Sequence, residues 1–65
     1  MRRYERQITQ EQYERARQNF GYITKADEEA VFTDSERYGY GVYGNHVFER
    51  DGQYFVSFSL GSTCD

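Results

Sequence analysis

The chain lacks most of the features that reveal the chemistry of a short protein. It has one cysteine and one histidine, too few for an internal disulfide or for a typical zinc site. No apolar run reaches ten residues, so the sequence predicts no membrane-spanning helix. The charged N-terminal stretch is followed by no apolar segment, so we expect no secretory signal and a cytoplasmic protein. No repeat or low-complexity tract indicates a solenoid or a disordered linker.

The small size of the chain limits how it can be stabilised. Its 65 residues form one domain, and a domain of this size buries only about 60% of the surface of its unfolded chain. Five phenylalanines and seven tyrosines can compensate, because each aromatic ring buries a large area. We therefore expect an aromatic core without a cofactor, or burial of apolar surface against a second copy of the chain or another partner.

The first helix is predicted over residues 10–20. Thr9 is suited to the N-cap, and Gln12 completes a capping box of the Ser/Thr-x-x-Glu/Gln type. Gly21 follows at the position where a left-handed C-terminal cap is expected. The inward face of this helix is predicted to carry three residues, Tyr13, Ala16 and Phe20.

A second, short helix is predicted over residues 25–32. Thr24 precedes it, and acidic residues occupy its first turn, where negative charge favours the helix dipole. Its inward side is expected to carry Ala26 and Ala30, with Val31 or Phe32. Residues 1–7 leave three alternatives open: they extend a helix, form an edge strand or are disordered.

The last third of the chain predicts strands over 38–43, 45–50 and 53–60. The Asp51-Gly52 pair favours a type I′ turn, which pairs Phe48 with Phe55 and Val47 with Val56. We therefore predict an α+β fold in which two N-terminal helices pack on one face of a small antiparallel sheet of about three strands, ending in this hairpin.

The hairpin register divides the sheet residues between two faces. The more apolar face, which should receive the helices, carries Val47, Tyr54, Val56, Phe58 and Leu60. The other face carries His46, Phe48, Phe55, Ser57 and Ser59. Its Phe48–Phe55 pair is more apolar than a solvated face requires, which predicts a second contact surface.

Catalysis is not expected. As a nucleophile, Cys64 would need a neighbour that lowers its pKa, and His46, the only imidazole, lies some strand positions away in this register. A free thiol packed on the sheet is the simpler interpretation. The glycines match neither a dinucleotide-binding fingerprint nor a P-loop, so we predict that the chain is not an enzyme.

Charge is unevenly distributed along the chain. Residues 1–18 hold five arginines against three glutamates, whereas residues 19–65 hold three basic against eight acidic side chains. The densest acidic run consists of Asp27, Glu28, Glu29, Asp34 and Glu36. It forms either a solvated helix face or a patch that competes for a basic surface on a partner, including mimicry of nucleic-acid phosphate.

Aromatic residues of the predicted sheet suggest an alternative function. Single-stranded nucleic acid stacks on such platforms, here Tyr38, Tyr40, Tyr43, Phe48 and Phe55. The local charge argues against it, since only Arg37 and Arg50 lie nearby, close to acidic neighbours. The arginines near the N-terminus are the counter-argument.

Three segments resemble small uncharacterised accessory proteins of plasmids and conjugative elements of gut Firmicutes. They are Gly-Tyr-Gly-Val-Tyr-Gly at 39–44, Glu-Arg-Asp-Gly-Gln-Tyr-Phe-Val at 49–56 and Gly-Ser-Thr-Cys-Asp at 61–65. The resemblance implies a setting in which such proteins act on a host or element protein, as regulators or defence-system inhibitors. The residues and this resemblance together predict a non-enzymatic protein-binding module. Its candidate binding residues are Asp27, Glu28, Glu29, Asp34, Glu36, Tyr38, Tyr40, Phe48 and Phe55.

Overall fold

The computed structural model of the protein describes residues 3–61, apart from the side chain of Tyr40. It is a small α+β fold with one three-stranded antiparallel sheet. The strands are β1 (Arg3–Ile8), β2 (Val42–Arg50) and β3 (Gln53–Leu60), in the spatial order β1-β3-β2. The predicted α+β class with an antiparallel sheet of three strands is thus confirmed, and residues 3–8 form an edge strand, one of the three alternatives left open for the N-terminal residues.

The hairpin register is confirmed pair by pair. Phe48 faces Phe55 and Val47 faces Val56 across β2 and β3. Asp51 and Gly52 at the turn both have positive φ, at 54° and 78°, which matches the preference for Asp-Gly there. The predicted strands 38–43 and 45–50 are not two strands, because β2 runs through as one strand with a register irregularity between Tyr43 and His46.

Helix α1 spans Gln10–Arg17 and begins as predicted. The Thr9 hydroxyl accepts the Gln12 amide N–H, and the Gln12 side chain accepts the Thr9 N–H. The prediction that it continues to residue 20 is wrong. The chain reverses after Arg17, with positive φ at Phe20 and Gly21, and the Gly21 carbonyl accepts the N–H of Val47 on β2. Phe20 is therefore 92% exposed and does not lie on the inward face.

The predicted second helix is a 3₁₀ turn, Lys25–Asp27, followed by a single turn of α-helix, α2 (Glu28–Val31). Its inward side differs from the prediction, since both alanines, Ala26 and Ala30, are exposed. Val31 and Phe32 are buried as predicted, and Asp27 is buried with them because its carboxylate accepts hydrogen bonds from Arg15 on α1.

The predicted strand 38–43 is wrong for its first residues. Ser35–Tyr40 form a π-helical segment, and the strand begins only at Val42. Reciprocal bonds cap this segment, because the Glu36 carboxylate accepts the Thr33 N–H and the Thr33 hydroxyl accepts the Glu36 N–H. Gly41, at φ 81°, then turns the chain into β2.

The helical elements pack on one side of the sheet, which we call the covered face. Phe58, at its centre, is 1% exposed and contacts the rings of Phe32 and Tyr4 and the guanidinium of Arg6. Tyr13 of α1 contacts Tyr54. The buried apolar residues are Ile8, Ala16, Ile23, Val31, Phe32, Val56 and Phe58. Within residues 3–61 no helix has the length and apolar character needed to cross a bilayer.

Residues on the other side of the sheet form the open face. Strand pairing places eight side chains there that matter below: Arg3, Glu5, Tyr43, Phe48, Arg50, Phe55, Ser57 and Ser59. The ring contacts of the helical elements, Tyr13 with Tyr54 and Phe32 with Phe58, go to the covered face. Cys64, and with it the predicted free thiol, lies outside the residues that the structure describes.

Candidate functional site

A cleft opens between the helical elements and the first residue of β2. Its volume is about 390 Å³, which falls in the range of small-ligand and side-chain pockets. The lining residues come from four elements and from the residue that follows α2: Lys25, Glu28, Phe32, Arg37, Tyr38 and Val42. Phe32 is a buried apolar wall, whereas Lys25 and Glu28 bring opposite charges to the rim.

The π-helical segment positions two of the lining residues. An ion pair ties this segment to β1, because the Arg6 guanidinium donates two bonds of 2.8 Å to the Glu36 carboxylate and one of 2.7 Å to the Val31 carbonyl. The bonds from Arg6 and the Thr33 N–H lower the pKa of Glu36 to about 2 despite the burial of its carboxyl. π-Helical turns are rare and often occur at functional sites.

Arg37 is held inside this segment rather than in solvent. Its side chain is 14% exposed, its guanidinium pairs with Asp34 and lies 4.9 Å from the centre of the Tyr38 ring. Burial is the largest single influence and opposes the charge of Arg37, but the hydrogen bond to Asp34 and the charges of Asp34, Tyr38 and Glu29 together raise its pKa. Its buried Nε–H finds no acceptor among the residues described. Arg37 thus braces Tyr38, whose ring is 78% exposed.

The predicted acidic run does not form one surface patch. Asp27 is 7% exposed and accepts two bonds of 2.8 Å from Arg15 and one from Thr24, and the hydrogen bonds from Arg15 lower its pKa. The Glu36 carboxylate likewise accepts two hydrogen bonds from Arg6. These two carboxylates therefore stabilise the fold, and Glu28 and the exposed Glu29 remain available to a partner.

The nine candidate residues separate into distinct places. Glu28 and Tyr38 meet in the cleft, and Asp34 supports it through Arg37. Phe48 and Phe55 lie on the open face, where their rings stack with centres 5.5 Å apart. The side chain of Tyr40 is outside the described structure.

Sequence reasoning missed most of the cleft. The sequence assigns Lys25 to a helix, Phe32 to a core position and Val42 to a strand. It gives no reason to place these three residues together. The sequence contains one indication of the conformation at Arg37, because Asp34 precedes it by three residues, the spacing of a helical ion pair. That spacing argues for a helical turn where the alternating tyrosines and glycines indicated a strand.

Metal chemistry finds no support in residues 3–61, where no three His, Cys, Asp or Glu side chains converge on a possible ion. The cleft offers recognition groups instead: one ammonium, one carboxylate, a braced tyrosine and an apolar wall. Comparison with protein-family models, with curated proteins and with solved structures finds no match to this chain.

Proposed function

We propose that the chain is a small non-enzymatic module that binds another protein, and that the partner contacts the cleft beside Tyr38. The observation that carries this proposal is that Tyr38 is 78% exposed while its ring contacts the guanidinium of Arg37. Tyrosine and arginine are enriched at the energetic centres of protein interfaces. A ring that is already held in place loses little conformational freedom on binding.

The charge near the cleft suggests what the partner presents. Glu28 lines the cleft and Glu29 is exposed beside it, whereas the charges of Asp27 and Glu36 are matched by arginines of the fold. A partner with a lysine or arginine opposite these glutamates, and an apolar side chain for the Phe32 wall, complements the site. The resemblance to accessory proteins of mobile elements makes a regulator or a defence-system inhibitor the role we favour.

Affinity capture with matched variants tests the proposal. The tagged chain is exposed to an extract of the cells in which it is native, and bound proteins are quantified by mass spectrometry. We expect one protein at near-stoichiometric amount, retained by Tyr22→Ala and reduced at least tenfold by Tyr38→Ala and by Glu28→Lys. Tyr22 is a suitable control because its ring is 52% exposed and lies outside the cleft.

Two outcomes would contradict the proposal. One is the absence of any stoichiometric protein; the other is equal loss with Tyr38→Ala and Tyr22→Ala, which would show a non-specific aromatic contact. Self-association stays a prediction, and sedimentation of the chain at several concentrations tests it. A monomer throughout would remove that alternative.

A further inference from the structure

We propose that the open face binds single-stranded nucleic acid, at a site separate from the cleft. Its aromatic centre is the stacked Phe48–Phe55 pair, which spans β2 and β3. The guanidinium of Arg50 lies over both rings, 5.0 Å from the centre of Phe48 and 5.6 Å from that of Phe55. The Arg50 side chain is itself 54% exposed, so a planar ligand can reach it.

Tyr43 adds a second stacking position on the same face. It pairs with Ser59, four residues along β3 from Phe55, which places it roughly 13 Å from the phenylalanine pair at the usual strand rise. Its ring is 56% exposed and packs close to Gly41, where an added Cβ would come within 3.1 Å of the ring. Unpaired bases stack on aromatic rings and on arginine guanidinium planes in this way.

The charge of the open face is the observation that selects a nucleic acid. The chain as a whole carries −3, yet this face brings together Arg3 and Arg50 with one carboxylate, Glu5, which pairs with Arg50. Strand alternation turns Glu49 to the covered face, opposite Tyr54. Of the acidic neighbours that argue against this function in the sequence, Glu49 is exposed but does not lie on the open face.

Arg3 is fixed on the open face by neutral acceptors. Its Nη1 donates to the Ser59 hydroxyl at 3.0 Å, and its Nη2 donates to the Ser57 hydroxyl at 2.9 Å and to the Gly44 carbonyl at 3.1 Å. These bonds leave its positive charge without a carboxylate partner among residues 3–61. A guanidinium has five N–H donors, so Arg3 keeps donors for a phosphate oxygen.

The geometry favours a single strand over a duplex, because rings can stack only on bases that are free of pairing. The probes are fluorescently labelled deoxythymidine and uridine oligonucleotides of about 12 nucleotides, which fits the site sizes of small sheet domains. Binding is measured by anisotropy over a range of salt concentrations. With two arginines contacting phosphates, log K should fall against log salt with a slope of about −1.4.

Substitutions distinguish the contribution of aromatic stacking from that of positive charge, and both from any contribution of the cleft. We expect Tyr43→Ala to weaken binding about tenfold and Tyr43→Phe to restore it, since stacking needs the ring and not the hydroxyl. Arg50→Gln should reduce the magnitude of the salt slope by about 0.7. Tyr22→Ala and Tyr38→Ala should bind as the unchanged protein does, because neither residue lies on the open face. Circular dichroism confirms that each variant is folded.

Three results would overturn the inference. These are the absence of binding to either oligonucleotide at low salt, equal affinity for a duplex of the same length, and a Tyr43→Ala variant that binds as well as the control. If Tyr43→Ala instead releases the protein captured through the cleft, the open face belongs to the protein interface. The open face and the cleft use different residues. A negative result for oligonucleotide binding therefore does not affect the test of protein binding at the cleft, and the converse also holds.

Discussion

The two faces of one sheet differ in what their aromatic residues do. On the covered face, Phe58 is enclosed by Phe32, Tyr4 and the Arg6 guanidinium, and it is 1% exposed. On the open face, Phe48 and Phe55 are only half-buried, and their cover is a single arginine side chain. The same residue type serves stability on one side and remains accessible on the other.

The arginines show the same contrast. Arg6, on the covered face, is bound to a carboxylate with 14% exposure, whereas Arg50, on the open face, pairs with Glu5 at 3.1 Å where both side chains are about half exposed. A shielded pair is weakened less by water and salt than an exposed one. We therefore expect substitutions on the covered face to change stability, and matched substitutions on the open face to change binding.

The largest effect is expected at Phe58. Replacement by alanine removes the ring at the centre of the core and should cost about 3–5 kcal/mol, enough to unfold much of a domain this small. Phe58→Leu keeps most of the volume and should cost about 1–2 kcal/mol, which keeps the comparison measurable. Urea unfolding followed by circular dichroism measures both. A stability loss for Phe58→Leu no greater than for Phe55→Leu would contradict the contrast between the faces.

Glu36 should give the covered face its acid sensitivity. Its folded pKa of about 2 lies below the usual value of 4.5, so its contribution is present above pH 4.5 and is lost as the pH falls toward 2. Glu36→Gln should cost about 2 kcal/mol at neutral pH and flatten the loss of stability between pH 4.5 and 2.

The matched control for Glu36→Gln is Glu5→Gln, which removes the half-exposed partner of Arg50. We expect it to cost less than about 0.5 kcal/mol at neutral pH. Urea unfolding at a series of pH values follows both variants. If both substitutions cost the same, the ion pair of the covered face contributes no more than an exposed one.

The parts of this fold that could be predicted from sequence are those set by near neighbours. The capping box joins Thr9 and Gln12 over three residues, and the Asp51-Gly52 turn sets the β2–β3 register. Both depend on local chemistry that the sequence displays directly. The division of β3 into an apolar and a mixed face follows from the same register.

The parts that could not be predicted depend on distant partners. β1 pairs with β3 across 46 to 56 residues, and this pairing brings Arg3 to the open face and Arg6 to Glu36. No local pattern indicates either contact. The acidic run was predicted to lie on the surface for the same reason, since the arginines that bind Asp27 and Glu36 come from other elements.

Phe55 tests whether the open face contributes little to stability. Its ring stacks on Phe48 and lies under Arg50, so Phe55→Ala should cost about 1–2 kcal/mol, well below the cost at Phe58. The same variant should weaken oligonucleotide binding about tenfold, because the stacking surface is lost. Urea unfolding and anisotropy, measured on one preparation, give both quantities. A cost as large as that of Phe58→Ala, with unchanged oligonucleotide binding, would reverse the assignment of the two faces.

Two glycines provide the smallest and most specific comparison. Gly41 has φ 81°, and an added Cβ would meet the Tyr43 ring at 3.1 Å, so Gly41→Ala should cost about 1 kcal/mol and displace that ring from the open face. Gly39 lies in the π-helical segment, and an added Cβ there would meet no atom within 4 Å, so Gly39→Ala should be neutral or stabilise by about 0.5 kcal/mol. Thermal unfolding measures whether each substitution stabilises or destabilises the fold. Anisotropy should show weaker oligonucleotide binding for Gly41→Ala alone. Equal destabilisation by both would mean that residue 39 has a backbone conformation that only glycine tolerates, and the helical segment would then need a different description.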